Sequence, residues 1–134
     1  MVKIEAVYQG EKHSQVTHEP SRAVLETDAP KDNNGRGESF SPTDLVAAAL
    51  GSCLLTVMAI SAEREDIDMK GAKSEVIKEM AANPRRISSL TVKVEMPSTV
   101  PFSAREKLET IARTCPVAKS LSEGLEVNMQ FTWL

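Results

Sequence analysis

The stretch SPTDLVAAALGSCLLTVMAISAER, residues 41–64, decides how the rest of the chain can be arranged. Ser41-Pro42-Thr43-Asp44 is a helix start. Ser41 is the N-cap and Pro42 takes the first helical position. Asp44 is the acidic half of a capping box, facing the positive helix end. From Leu45 to Ile60 only Ser52 and Thr56 are polar. Sixteen such residues are short of the roughly 20 that cross a bilayer. The expectation is a helix buried inside the fold, covered on most sides by a sheet or by a second copy of itself. Ala47-Ala48-Ala49 and Gly51-Ser52 would let another element approach closely. In the middle sits Cys53, one of two cysteines.

The totals narrow the setting. The chain has 134 residues, enough for a single domain over 1–134 with a modest core. Sixteen basic against nineteen acidic residues leave a net charge of −3, which gives no electrostatic case for nucleic acid or an anionic membrane. Five aromatic residues are too few for base-stacking surfaces. Two histidines suggest no metal cluster, and no cofactor is expected. The N-terminal MVKIEAVYQGEK lacks an apolar targeting core, so a cytoplasmic, reducing setting is the default. There, two cysteines are free, catalytic or redox-sensing rather than structural.

Upstream, residues 2–8, 13–18 and 22–27 read as three short strands with turns at Gln9–Lys12 and Glu19–Ser21. Residues 28–40 form a polar loop, long enough to be functional, with Arg36 between Gly35 and Gly37. Downstream, 73–81 and 87–96 read as strands joined by Ala82-Asn83-Pro84-Arg85-Arg86. Ser103–Glu106 looks like a second capping box, opening an amphipathic helix to about Arg113. Pro116 starts a further short helix that Gly124 ends, with Cys115 at its N-terminus, where the dipole favours a thiolate. Leu125 to Trp133 alternates as a strand with one buried face. The order is β-β-β-α-β-β-α-α-β, an α+β domain with antiparallel sheets packed on the central helix.

Taken alone, Cys53 reads first as a small buried hydrophobe, and Cys115 reads as well that way as any other. Cys53, in mid-helix, gains nothing from the dipole. An active thiolate there needs a cation, and Arg36, Arg85 and Arg86 lie near loops. Thr43, Leu54, Val57 and Met58, with the faces of the terminal strand, are the candidates to wall a slot beside the thiol.

The two segments SPTDLVAAALGSC, ending at Cys53, and CPVAKSL, beginning at Cys115, together resemble the OsmC/Ohr family of osmotically inducible and organic hydroperoxide resistance proteins. The likeness extends over essentially the whole chain. It implies an intertwined homodimer with two long central helices at its core. It also implies a thiol-dependent hydroperoxide reductase in which Cys53 attacks the peroxide and Cys115 resolves the product to a disulfide. An external dithiol, such as a lipoylated protein, then restores both thiols. The resemblance further implies an arginine that lowers the pKa of the peroxidatic thiol and a glutamate near the helix start that orients it. Arg36 and Arg86 (with Arg85) both qualify for the first part. For the second, the expected glutamate position holds Thr43, and Asp44 and Glu38 are the substitutes at hand. This pattern is closer to the OsmC-like subgroups than to the Ohr enzymes proper. A non-catalytic redox sensor or small-ligand binder on the same scaffold is the alternative. Ten residues separate Thr43 from Cys53, about 15 Å of helical rise. A helix-start residue therefore reaches the thiol only from a second, antiparallel chain, at a shared site across a two-fold axis.

Overall fold

The computed structural model describes residues 1–134, which form two compact units, Met1–Val46 and Ala47–Leu134. The first unit is an antiparallel sheet of β1 (Ile4–Gly10), β2 (His13–His18) and β3 (Ala23–Asp28), in that spatial order. All three follow the strands read from the sequence to within two residues. The β1–β2 turn places both central residues, Glu11 and Lys12, in the left-handed region, at φ 53° and 60°. That backbone matches the twist of a two-residue hairpin, but side chains adopt it at a cost. One face of this sheet carries Ile4, Tyr8 and Leu25, all exposed.

Beyond β3 the chain enters its polar loop, which is folded onto itself. The Gly35 and Asn33 amides donate to Pro30 O, Gly37 N donates to Ala29 O, and Asp28 N donates to Phe40 O, closing the base. A Cβ on Gly35 would lie 1.8 Å from Ala29 O, and Gly37 has φ +62°. Both glycines beside Arg36 are therefore fixed by geometry, one by lack of space and one by backbone conformation.

The capping box at residues 41–44 forms as read. Asp44 N donates to Ser41 Oγ at 3.1 Å, and Ser41 N donates to Asp44 Oδ2 at 2.9 Å. It starts α1 (Pro42–Glu63), which runs on into the second unit.

There a sheet of β4 (Lys73–Ala81), β5 (Arg86–Met96) and β6 (Glu126–Trp133) provides the packing surface. Alternation along β5 and β6 sends Leu90, Val92, Val94, Met96 and Met129 into the core. One pairing departs from the expected antiparallel sheets: β6 runs parallel to β5. The connection between them holds α2 (Arg105–Arg113) and α3 (Pro116–Ser120), the kind of long crossover that parallel pairing requires.

The stripe of α1 that faces this sheet is Leu50, Gly51, Leu54, Met58, Ser61 and Ala62. At Gly51 the helix backbone approaches β4 closely. The Gly51 carbonyl accepts from Ser74 Oγ at 3.0 Å, and a Cβ there would meet Val76 Cγ2 at 2.8 Å and Ser74 Oγ at 2.9 Å. The opposite side is not covered. Ala48, Ala49, Ser52, Thr56, Ala59 and Ile60 are exposed, so within one chain the helix is buried on one face rather than on most sides. By length and composition α1 could cross a membrane, yet its buried stripe marks it as the core helix of this unit.

Two local expectations are corrected at α2 and α3. Ser103 caps nothing. Residues Phe102–Ala104 form a 3₁₀ turn with Ala104 N donating to Pro101 O, and Ala104 becomes the N-cap without a side-chain bond. Pro101 ahead of the helix favours this tighter entry. The α3 helix ends at Ser120, short of Gly124, because Leu121 turns extended.

Gly51→Val should destabilise the protein by roughly 3 kcal/mol, since the branched side chain must displace Val76 or break the Ser74 bond. Urea unfolding measures this, and a loss under about 1 kcal/mol would show that α1 can lift off the sheet cheaply.

Candidate functional site

Cys53 and Cys115 are neighbours, both free thiols, in the second unit. Two local features place them. On α1, Cys53 follows Gly51 by two residues, about 200° round the helix, so it lies on the flank of the buried stripe and is half-buried. Cys115 is the N-cap of α3, its side chain accepting from Ala118 N at 3.4 Å, with Pro116 at the first helical position. It is 1% exposed. The pair therefore has an outer and an inner thiol.

The helix-start position does not make Cys115 a thiolate. Burial pushes its thiol up from the ordinary 9.0, and the neighbouring Cys53 raises it further by hydrogen bonding and by charge. The amides of Ala118 and Val117 act the other way and do not win. A helix of five residues has little dipole to offer, and burial disfavours any charge.

Two of the side chains expected to wall a slot belong to the buried core of the chain. Leu54 and Met58 are fully buried, one turn apart on the stripe that faces the sheet, and only Val57 lies beside Cys53 on the flank. Further along α1 there is open space. A groove of about 550 Å³ is lined by Leu55, Thr56, Ala59 and Ile60 and by residues 67–72.

The arginines divide clearly. Arg86 donates through Nη1 to Pro84 O at 2.9 Å and Ala82 O at 3.2 Å, tying up the β4–β5 turn. Arg105 and Arg113 lie over the rings of Trp133 and Phe131. Arg36, in the first unit, faces carboxylates: Asp28 Oδ1 at 3.5 Å from Nη2 and Glu11 Oε2 at 3.4 Å from Nη1. Asp28 is 1% exposed and takes a 2.6 Å hydrogen bond from His13 Nδ1 and a 3.1 Å bond from Glu38 N. Glu38 thus enters the cluster through its backbone. Thr43 shares a 3.2 Å hydrogen bond with Ser41 Oγ, and Asp44 serves the cap.

Sequence reading missed Asp28, Glu11 and His13. The signal lay in strand register, because His13 and Asp28 are direct cross-strand partners. With β2 and β3 aligned, the two side chains must share a face.

A family model, OsmC-like protein, matches residues 35–130. The chain belongs to the OsmC-like family. A crystal structure from Psychrobacter arcticus 273-4, of a protein described as an osmotic stress induced and detoxification response protein, is similar at 38% identity. It has a TM-score of 0.93, with 98% of this chain and 96% of that one covered. An OsmC-like protein from Mycoplasma pneumoniae shares the fold at 18% identity and a TM-score of 0.84, over 100% and 97% of the two chains. So does an organic hydroperoxide resistance protein OsmC from Legionella pneumophila, at 18% identity and 0.74, over 98% and 96%. No curated protein matches the sequence.

Two titration predictions follow from the geometry. Iodoacetamide should label Cys115 slowly at pH 7 and increasingly above about pH 9, even in a Cys53→Ser variant, because burial is the largest cause of the raised pKa. Mass spectrometry of the labelled peptides gives the rates, and rapid labelling at pH 7 would refute the assignment of Cys115 as the protected thiol.

For the His13–Asp28 pair, the mutual hydrogen bond is the first cause of both shifts. Asp28 is lowered from 3.8 and His13 is raised from 6.5, each against its own burial. The Asp28 contribution to stability is complete above its ordinary value and is lost as pH falls through the folded one. The His13 contribution is complete below its ordinary value and is lost as pH rises through the folded one. The melting-temperature deficit of His13→Gln should therefore be greatest between those two ordinary values, near about pH 5, and shrink on either side. A deficit independent of pH would mean that the two do not act as a charged pair.

Proposed function

We propose that the protein is a thiol-dependent hydroperoxide reductase acting through Cys53 and Cys115. The observation that carries this reading is the side-by-side pair of free thiols, one half-buried and one sealed behind it with its pKa raised. Cys53, as thiolate, attacks the outer peroxide oxygen. The O–O bond breaks, the alkoxide leaves and takes a proton, and Cys53 becomes a sulfenic acid. Cys115 then gives up its proton and attacks the Cys53 sulfur. Water leaves and a disulfide forms. An external dithiol reduces that disulfide by exchange and is itself oxidised. The inner thiol, protonated and shielded, stays intact until a sulfenic acid forms next to it.

Arg36 is the cation assigned to Cys53. It is the loop arginine held by carboxylates between two geometrically required glycines, whereas Arg86 is engaged by its turn. In this reading Arg36 arrives from a second copy of the chain, in a two-fold dimer that covers the exposed α1 residues Ala49 and Ile60 and the exposed sheet residues Ile4 and Leu25.

A second reading keeps the scaffold and the thiol pair but not the turnover. Thr43, at the helix position where the family resemblance places a charged acceptor, is what favours a sensor or ligand-binding role.

The reduced protein should lose two thiols per chain on mixing with one equivalent of cumene hydroperoxide, and turn over steadily with dihydrolipoamide. Cys53→Ser should abolish turnover. Cys115→Ser should stop at a sulfenic acid that dimedone traps. Sedimentation should give twice the chain mass, and Ile60→Arg should lower it. A single stoichiometric oxidation with no turnover would move the protein to the second reading. Thiols that survive micromolar peroxide would exclude both the reductase and a redox sensor.

A further inference from the structure

We infer that Asp28 and Glu11 form a carboxylate clamp that positions Arg36, with His13 fixing Asp28. The clamp does the work that the sequence does not assign to position 43. This inference rests on the reading of Arg36 as the cation for Cys53.

Four independent features converge on one side chain. The first is the buried carboxylate. Asp28 is 1% exposed and is fixed on three sides, by His13 Nδ1 at 2.6 Å, Glu38 N at 3.1 Å and Arg36 Nη2 at 3.5 Å. A buried carboxylate left without such partners would be strongly disfavoured, so Asp28 stays charged because of them. The second is the turn. Glu11 occupies a left-handed backbone conformation that side chains avoid, and from there its carboxylate lies 3.4 Å from Arg36 Nη1. The third is the loop, where Gly35 has no room for a Cβ and Gly37 has positive φ, so the chain must present residue 36 where it does. The fourth is register. His13 and Asp28 face each other across β2 and β3, so the anchor is built into the sheet rather than into the loop.

The geometry also leaves Arg36 available. Its side chain is 42% exposed, and both carboxylate contacts are long, 3.4 and 3.5 Å. A guanidinium carries five N–H donors in a fixed plane, and these two contacts occupy one on each terminal nitrogen. Such a group is oriented without being consumed, and its remaining donors can face a thiolate or a peroxide oxygen. Glu26, which approaches His13 Nε2 at 3.5 Å, belongs to the same face and holds the imidazole from its other side.

The test is a double-mutant cycle on the rate at which Cys53 reacts with cumene hydroperoxide, followed against pH. Arg36→Ala should lower the rate at pH 7 by about a hundredfold and move the midpoint of its pH profile upwards. Asp28→Asn should lower it by about tenfold with a smaller upward move, and should cost nothing further in the Arg36→Ala background. Glu11→Gln alters a side chain that is 79% exposed, so it leaves the buried anchor intact. It should lower the rate two- to fivefold, again only while Arg36 is present. If Asp28→Asn does not fold, the cycle is read on Glu11→Gln alone. Equal losses with and without Arg36 would make the clamp merely structural and overturn the inference, as would rates within twofold of wild type for both carboxylate variants. If Arg36→Ala itself leaves the rate unchanged, Arg36 is not the cation for Cys53, and that reading fails together with the clamp.

Discussion

The second unit depends on one close contact, the approach of α1 to β4 at Gly51. With no side chain there, the helix backbone settles onto Val76 and Ser74, and the Ser74 hydroxyl binds the Gly51 carbonyl. That depth fixes the azimuth of every other residue on the helix. Leu50, Leu54 and Met58 lie on the same side of the helix and are fully buried. Cys53, about 200° from Gly51, comes to rest on the flank, neither in the core nor in open solvent. A bulkier residue at 51 would push the helix outward and change the depth of the thiol. Close packing and thiol placement are thus the same constraint seen from two sides of one helix.

The inner thiol depends on a different device. Pro116 starts α3 and leaves Cys115 as its cap, so the sulfur is turned back towards Ala118 N. A cap position usually suggests an activated thiol. Here burial outweighs the two amides, and Cys115 is kept protonated beside a more accessible neighbour. That ordering suits a two-thiol cycle. A resolving thiol that ionised readily could itself be oxidised, whereas one that reacts only with an adjacent sulfenic acid closes the disulfide and goes no further.

How much of this was legible in the sequence follows from the range of each interaction. Capping at Ser41–Asp44 and the alternation of β6 are local, and both can be read residue by residue. The adjacency of Cys53 and Cys115 came through family resemblance, because nothing local ties positions 62 apart. The parallel pairing of β6 was missed because alternation shows that a strand has one buried face and not which way it runs. That Leu54 and Met58 are fully buried within the chain was not legible for a related reason. In a helix apolar on every side, composition does not reveal which stripe meets the sheet, and only Gly51 against Val76 does.

The Arg36 cluster shows the same limit with more consequence. Looking for a replacement for the missing glutamate, a linear reading searches near Thr43 and finds Asp44 and Glu38. Folding brings closer groups from further away. Asp28 is supplied by the end of β3, His13 by the start of β2, and Glu11 by the turn between β1 and β2. An anchor on a sheet edge is stiffer than one on a loop, since cross-strand hydrogen bonds fix its backbone on one side and His13 fixes its side chain on the other. If Arg36 serves Cys53 as proposed, a threonine at position 43 is compatible with that role. The charged acceptor that Arg36 does have, Asp28, sits in the sheet, where burial makes its orientation harder to lose.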